Sequence, residues 1–268
     1  MHKSGRIVIY LAMALGLCCG LLAGASYSGE AELATVVQRL SAHQEQLRSL
    51  RCAWTAHHFI GGKAGDENLP PGVPDCQADF EEQGLLLLSG RDARCELRGM
   101  ACHQTEGRYV PHSKVESYVD GIAQGDNPPP GGPVLGFPDT PPVDGLLTVY
   151  RLFHPVLGYT EPDELTLIGS ATLEGQRCVV VEFVQSKWGQ RNRLWLSREM
   201  DYYPLRWEHT GTALSLRADF SYEADDQIGW RLSSWEVVLD GSIPQSWECT
   251  VTDAEINPPL KKADLALR

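Results

Sequence analysis

The sequence predicts a mainly β (α+β) protein: an antiparallel meander of about ten or eleven strands behind a single N-terminal amphipathic helix. Three observations carry this prediction. In the stretch Arg191 to Thr252, Tyr203, Leu205 and Trp207 alternate with Pro204, Arg206 and Glu208. Leu214, Leu216, Ala218, Phe220 and Tyr222 alternate in the same way with Ser215, Arg217, Asp219 and Ser221. Trp235, Val237 and Leu239 follow, and then Trp247, Cys249 and Val251. Side chains two apart on a strand share a face, so these runs give a sheet with one apolar, aromatic-rich face and one wet face. The second observation is a helical stripe. Leu33, Val37, Leu40, Leu47 and Leu50 recur at steps of three or four or their sum, which predicts a helix over 30–50. The third is the placing of turn pairs such as Asp120-Gly121 and Asp240-Gly241 between apolar runs.

The elements follow in order. After the helix the period changes to two: Leu50, Cys52, Trp54 and Ala56 fall on one side of a strand, and Arg51, Thr55 and His57 on the other. Gly61 to Asp75, rich in Gly and Pro, reads as a loop. Phe80 to Leu88, Ala93 to Arg98 and Met100 to Thr105 read as strands, with a tight turn at Arg98-Gly99 between the last two. Lys114 to Ile122 is a further strand ending in the Asp120-Gly121 turn. The prolines at 128–130, 133, 138, 141 and 142 make 124–144 a long loop insertion. Leu146 to Phe153 fits either a helical turn or a strand. From Leu165 the β pattern resumes, and Arg177 to Val184, apolar on both faces, reads as a central strand covered on both sides.

The chain has two parts. His2, Lys3 and Arg6 precede an uncharged run from Ile7 to Ala23, and Ala23-Gly24-Ala25 supplies small residues for cleavage. Residues 1–25 are therefore expected to be a secretory signal peptide. The alternative is an uncleaved anchor through residues 7–23, since a run of roughly 18 apolar residues can cross a bilayer. Residues 26–268 then form one domain. The formal net charge is −12, and −14 without Lys3 and Arg6. Such a field repels nucleic acid and anionic membrane surfaces, and nucleic acid is not expected as a partner.

Six cysteines lie beyond the leader: Cys52, Cys76, Cys95, Cys102, Cys178 and Cys249. An even number in an exported chain points to disulfides, and none stands in a Cys-x-x-Cys pair of redox or zinc type. A turn at Arg98-Gly99 would set Cys95 against Cys102, the pairing expected here. His57 and His58, being adjacent on a strand, point to opposite faces and do not make a metal pair, and no metal is expected. Glu81-Glu82 reads as a strand end, and Asp225-Asp226 as the turn before Gly229, rather than as acid/base pairs. The sequence has no G-x-S-x-G elbow, H-E-x-x-H, Walker or Rossmann motif. No catalytic residue and no cofactor are predicted.

The order of these features resembles a known group. SLRCAWTAHHF after an amphipathic helix, then GQRCVVVEF, RLWLSREMDYYPLRWE, GWRLSSWEV and VTDAEINPPL are similar to the periplasmic lipoprotein-carrier (LolA/LolB-like) superfamily, in its longer, divergent form. The resemblance covers roughly 31–267 and is strongest from Gly175 onward. It implies that the sheet is strongly curved, a half-barrel, with the N-terminal helix on its concave face. It further implies the periplasm of a Gram-negative-type cell as location. The function it implies is non-enzymatic binding of lipid, lipoprotein acyl chains or another apolar ligand between sheet and helix.

Trp54, Leu205, Trp207, Leu216, Phe220, Trp235, Val237 and Trp247 are the residues expected at that ligand. Each also suits ordinary core packing, because aromatic and aliphatic residues dominate cores. One helix cannot cover so many strands, so part of the face is expected to be empty, capped by a loop or occupied by a ligand. The expected partner is lipid or a lipidated protein, bound by a monomer. A sensor or scaffold module whose sheet binds a protein partner is the alternative, and an exported hydrolase a more distant one.

Overall fold

The computed structural model describes residues 29–61, 78–103, 108–125, 141–153, 160–185, 190–211, 214–241 and 244–267. Residues 1–25, expected to be a signal peptide, residues 62–77 with Cys76, and 126–140 of the expected loop insertion lie outside the described residues. Helix α1 spans 29–46. Strands β1 (Ser49–Ile60), β2 (Ala78–Ser89), β3 (Asp92–His103), β4 (Arg108–Val119) and β5 (Ile122–Gly125) follow. Helix α2 (Pro141–Tyr150) and a single 3-10 turn at Pro162–Glu164 come next. The meander then runs through β6 (Thr166–Leu173), β7 (Gln176–Gln185), β8 (Gln190–Ser197), β9 (Pro204–Thr210), β10 (Ser215–Asp225), β11 (Gly229–Asp240) and β12 (Gln245–Ile256), and α3 (Lys262–Leu265) closes the described chain.

All twelve strands form one antiparallel sheet in the order β5-β4-β3-β2-β1-β12-β11-β10-β9-β8-β7-β6. The first and last strands meet in the middle, with Leu50 opposite Ile256 and Ile60 opposite Gln245. The outer strands β5 and β6 do not pair with each other, so the curved sheet is an unclosed half-barrel. Its inner face carries one large apolar core, into which β1 sends Leu50, Cys52, Trp54 and Ala56. Helix α1 covers part of this face with Val36 and Leu40, and Leu47 follows just past its end.

Several sequence expectations are corrected. The helix predicted over 30–50 stops at 46, because Asn257 caps its end from the far end of the chain. The Asn257 side chain donates to the Gln46 carbonyl (3.1 Å) and accepts from the Arg48 and Ser49 amides (2.7 and 3.2 Å). Leu50 thus belongs to β1.

The Arg98-Gly99 turn does not form, and β3 runs straight through it. Gly99 serves a close approach instead: a Cβ there would stand 2.8 Å from Glu82 Cγ on the neighbouring strand. Cys95 and Cys102 therefore share one strand seven residues apart, too far for a disulfide at about 3.3 Å per residue. Cys52, Cys95, Cys178 and Cys249 are free, buried thiols.

Pro141 and Pro142, assigned to the loop, open helix α2, where a missing N–H and a fixed φ cost nothing. Of the ambiguous segment Leu146 to Phe153, residues 146–150 are the rest of this helix and 151–153 leave it. Strand β7 is second from the edge rather than central. On its outer side Cys178 belongs with Met200, Tyr203 and Leu205 in a smaller cluster.

Candidate functional site

The site is the inner face where β1, β9, β10, β11 and β12 run side by side. Trp54 on β1 lies directly over its cross-strand partner Gly84. Its ring meets Trp235 at 5.9 Å between centroids. Phe220 is paired in register with Trp235, Ala218 with both Val237 and Trp207, and Val237 with Trp247. Small Ala218 between large neighbours lets the aromatic rings interdigitate. Leu216 extends the same row on β10. Seven of the eight predicted residues thus share one continuous core. The eighth, Leu205, packs in the smaller cluster with Tyr203 and Met200. None of the eight is more than 7% exposed, so the face is closed in this conformation.

Helix α2 closes it, and it was not foreseen. All but two of its ten residues, Pro141 and Asp144, are buried, including Val143, Leu146 and Leu147. Gly145 makes its seat possible, since a Cβ there would come within 3.0 Å of Trp235 Cδ1 and 3.5 Å of Phe220 Cε1. Tyr150 anchors the far end: its hydroxyl oxygen accepts the Leu232 N–H at 3.0 Å, beside the bulge where β10 and β11 slip register.

The seat is nonetheless imperfect. Trp235 Nε1 and Thr148 Oγ1 are buried and lack a hydrogen-bond partner. Each such group costs about 1–3 kcal/mol. By contrast Trp207 Nε1 donates to Asn192 Oδ1 at 3.0 Å, on a fully buried asparagine that sequence pattern alone did not single out.

Helix α1 is held at its outer side by polar contacts to the β8–β9 turn. Asp201 forms an ion pair with Arg39 (3.4 Å) and a hydrogen bond with His43 (3.1 Å), and His43 stacks on Tyr203 at 4.2 Å. Asp201 and Tyr202 both have positive φ (50° and 66°), a strained turn for non-glycine residues. Burial lowers the His43 pKa, and this outweighs the opposing pull of Asp201. The unfolded chain therefore takes up a proton that the folded chain resists. Stability is full above the ordinary value of 6.5 and falls as pH drops through it. Thermal melts between pH 7.5 and about 5 are expected to show this slope and His43→Gln to reduce it. His209, also lowered by burial, supplies a remainder.

Little here is suited to covalent chemistry. Burial pushes the Cys52 thiol up to about 12 and raises Cys249 and Cys95 further, so none is a thiolate nucleophile at neutral pH. His58 sits between Glu82 Oε1 (2.8 Å) and Gln245 Oε1 (3.1 Å), while His57 turns outward to Asp79. Asp225 caps its own turn by accepting from the Gln227 and Ile228 amides. Among the described residues no group of three His, Cys, Asp or Glu could hold a metal. A shallow groove of about 530 Å³, lined by Ser170, Ala171, Thr172, Arg177, Cys178 and Arg198, lies away from the aromatic face.

No known protein family matches the sequence, and no curated protein does. Solved structures do. A putative outer membrane lipoprotein-sorting protein domain from Vibrio parahaemolyticus aligns at 11% identity and TM-score 0.48, over 86% of this chain and 94% of that one. A DUF1329 family protein from Desulfovibrio piger aligns at 11% and 0.47, over 89% and 97%. A LolA superfamily protein from Nitrosomonas europaea aligns at 9% and 0.46, over 86% and 97%. At such distances the ligand has to be argued from this chain's own residues.

Proposed function

We propose that the chain is a non-enzymatic extracytoplasmic binding protein that holds an apolar ligand, lipid or the acyl chains of a lipoprotein, between its curved sheet and helix α1, on the face that α2 covers in this conformation. The observation that carries this is the seat of α2. A ten-residue helix covers an aromatic face of several strands and leaves Trp235 Nε1 and Thr148 Oγ1 unpaired beneath it. An acyl chain on the same face would bury the same kind of surface, at about 25 cal/mol per Å². Exchange of helix for ligand then replaces apolar surface with apolar surface, as a carrier that must also release its cargo requires.

The partner-binding alternative would use an exposed sheet edge. The β6 edge is a poor template, being broken by a register shift between Leu167 and Gly169. The lipid reading is the stronger one.

Titration with a dibrominated stearate tests it. Saturable quenching of tryptophan emission is expected, with unbrominated stearate giving none and Trp235→Phe losing part of the quench. Absence of binding, or binding without quenching, would contradict it.

A further inference from the structure

Arg151 follows the last residue of α2 and is 4% exposed. A guanidinium has five N–H donors and is almost never buried without a carboxylate. The ion pairs of the described residues include Arg51 with Asp253, Arg193 with Glu182, Arg206 with Asp219 and Arg231 with Glu223, but none at Arg151. Its hydrogen bond is to the Tyr150 carbonyl, from Nη1 at 2.9 Å, a helix-end contact that uses one donor of the five. On the next residues Leu152 enters the main core, and the Phe153 amide donates to Gln44 Oε1 of α1 at 3.1 Å. Arg151 is thus buried in the short segment that joins the end of α2 to its contact with α1.

Leaving a cation there without a counter-charge is costly, and an apolar side chain of like size would avoid the cost. We propose that Arg151 receives the anionic head of the ligand, so that the seat takes amphiphiles ending in a carboxylate or phosphate in preference to neutral ones. This rests on the apolar-ligand reading given above. Burial lowers the guanidinium to about 10, which leaves it cationic at neutral pH. The chain's overall −12 charge repels anions at long range, so an anionic head is accepted only where this local charge compensates it. A charge-assisted hydrogen bond formed out of water is among the stronger polar contacts available to such a site.

Palmitate and hexadecanol, which share a sixteen-carbon chain and differ in the head, are the probes. Wild-type protein is expected to bind palmitate about tenfold or more tightly than hexadecanol, and Arg151→Gln to bind the two alike. Arg151→Lys keeps the charge and is expected to keep a preference, which preserves the test if the glutamine variant does not fold. Inorganic phosphate alone is expected not to displace palmitate; displacement would mean a free-anion site and overturn the proposal. Equal affinity of wild type for both probes would overturn it while leaving the apolar seat intact. Failure of both to bind would overturn it together with the apolar-ligand reading.

Discussion

Gly84→Ala is expected to cost about 3–5 kcal/mol, a fall in Tm of roughly 6–20 °C, which is the largest stability effect expected of any single methyl in this chain. A Cβ at position 84 would lie 2.0 Å from Trp54 Cζ2 and 2.1 Å from Cε2. The strands cannot separate to admit it, because β1 is paired on one side to β2 and on the other to β12. Trp54 must therefore leave its place against Trp235, and the loss approaches that of truncating a buried tryptophan. Gly90→Ala makes the informative contrast. Nothing lies within 4 Å of its Cβ, and only its φ of 57° opposes a side chain, so about 1 kcal/mol is expected. Thermal unfolding followed by circular dichroism measures both. A near-neutral Gly84→Ala would mean that Trp54 is not seated on Gly84.

Gly145→Val acts on the cover instead of the sheet. The Cβ alone would press on Trp235 at 3.0 Å, and the added methyls leave α2 no way to keep its seat over Trp235 and Phe220. The strand pairings do not depend on α2, so the sheet is expected to survive with a stability loss of about 1–3 kcal/mol. Removing a competitor for the face raises the share of molecules competent to bind, and affinity for stearate is expected to rise accordingly. An apolar fluorescent dye should report the opened face by a severalfold gain in emission. Weaker stearate binding by a folded Gly145→Val protein would show that α2 is a wall of the site and not its plug.

The strands were legible because their signal is local: a period of two in Leu50 to Ala56 or Leu216 to Phe220 needs no knowledge of the rest of the chain. The expected count of ten or eleven fell short of twelve. What was not legible depends on residues far apart. The end of α1 is set by Asn257, more than two hundred positions away. Gly99 carries the composition of a turn but serves the approach of Glu82, and with that turn went the Cys95–Cys102 pairing. The prolines of 141–142 suggested loop, although at the first turn of a helix they are favourable. At the candidate site the apolar residues were recognisable from their alternation, all but Leu205 in one core. Their cover was not, because the fit of Gly145 to Trp235 is a matter of shape between elements that no periodicity encodes. Arg151 likewise looks like any other charge in sequence, and only its burial sets it apart.

On the proposed function, this apolar face is exchangeable between a helix and a lipid. Native mass spectrometry of the purified protein, paired with solvent extraction, addresses it most directly. A population carrying lipid mass in about one-to-one ratio, lost on extraction and restored by adding palmitate, is the expected result. A single unliganded mass that stays unchanged through extraction and through addition of palmitate would contradict the claim and mark the face as core alone.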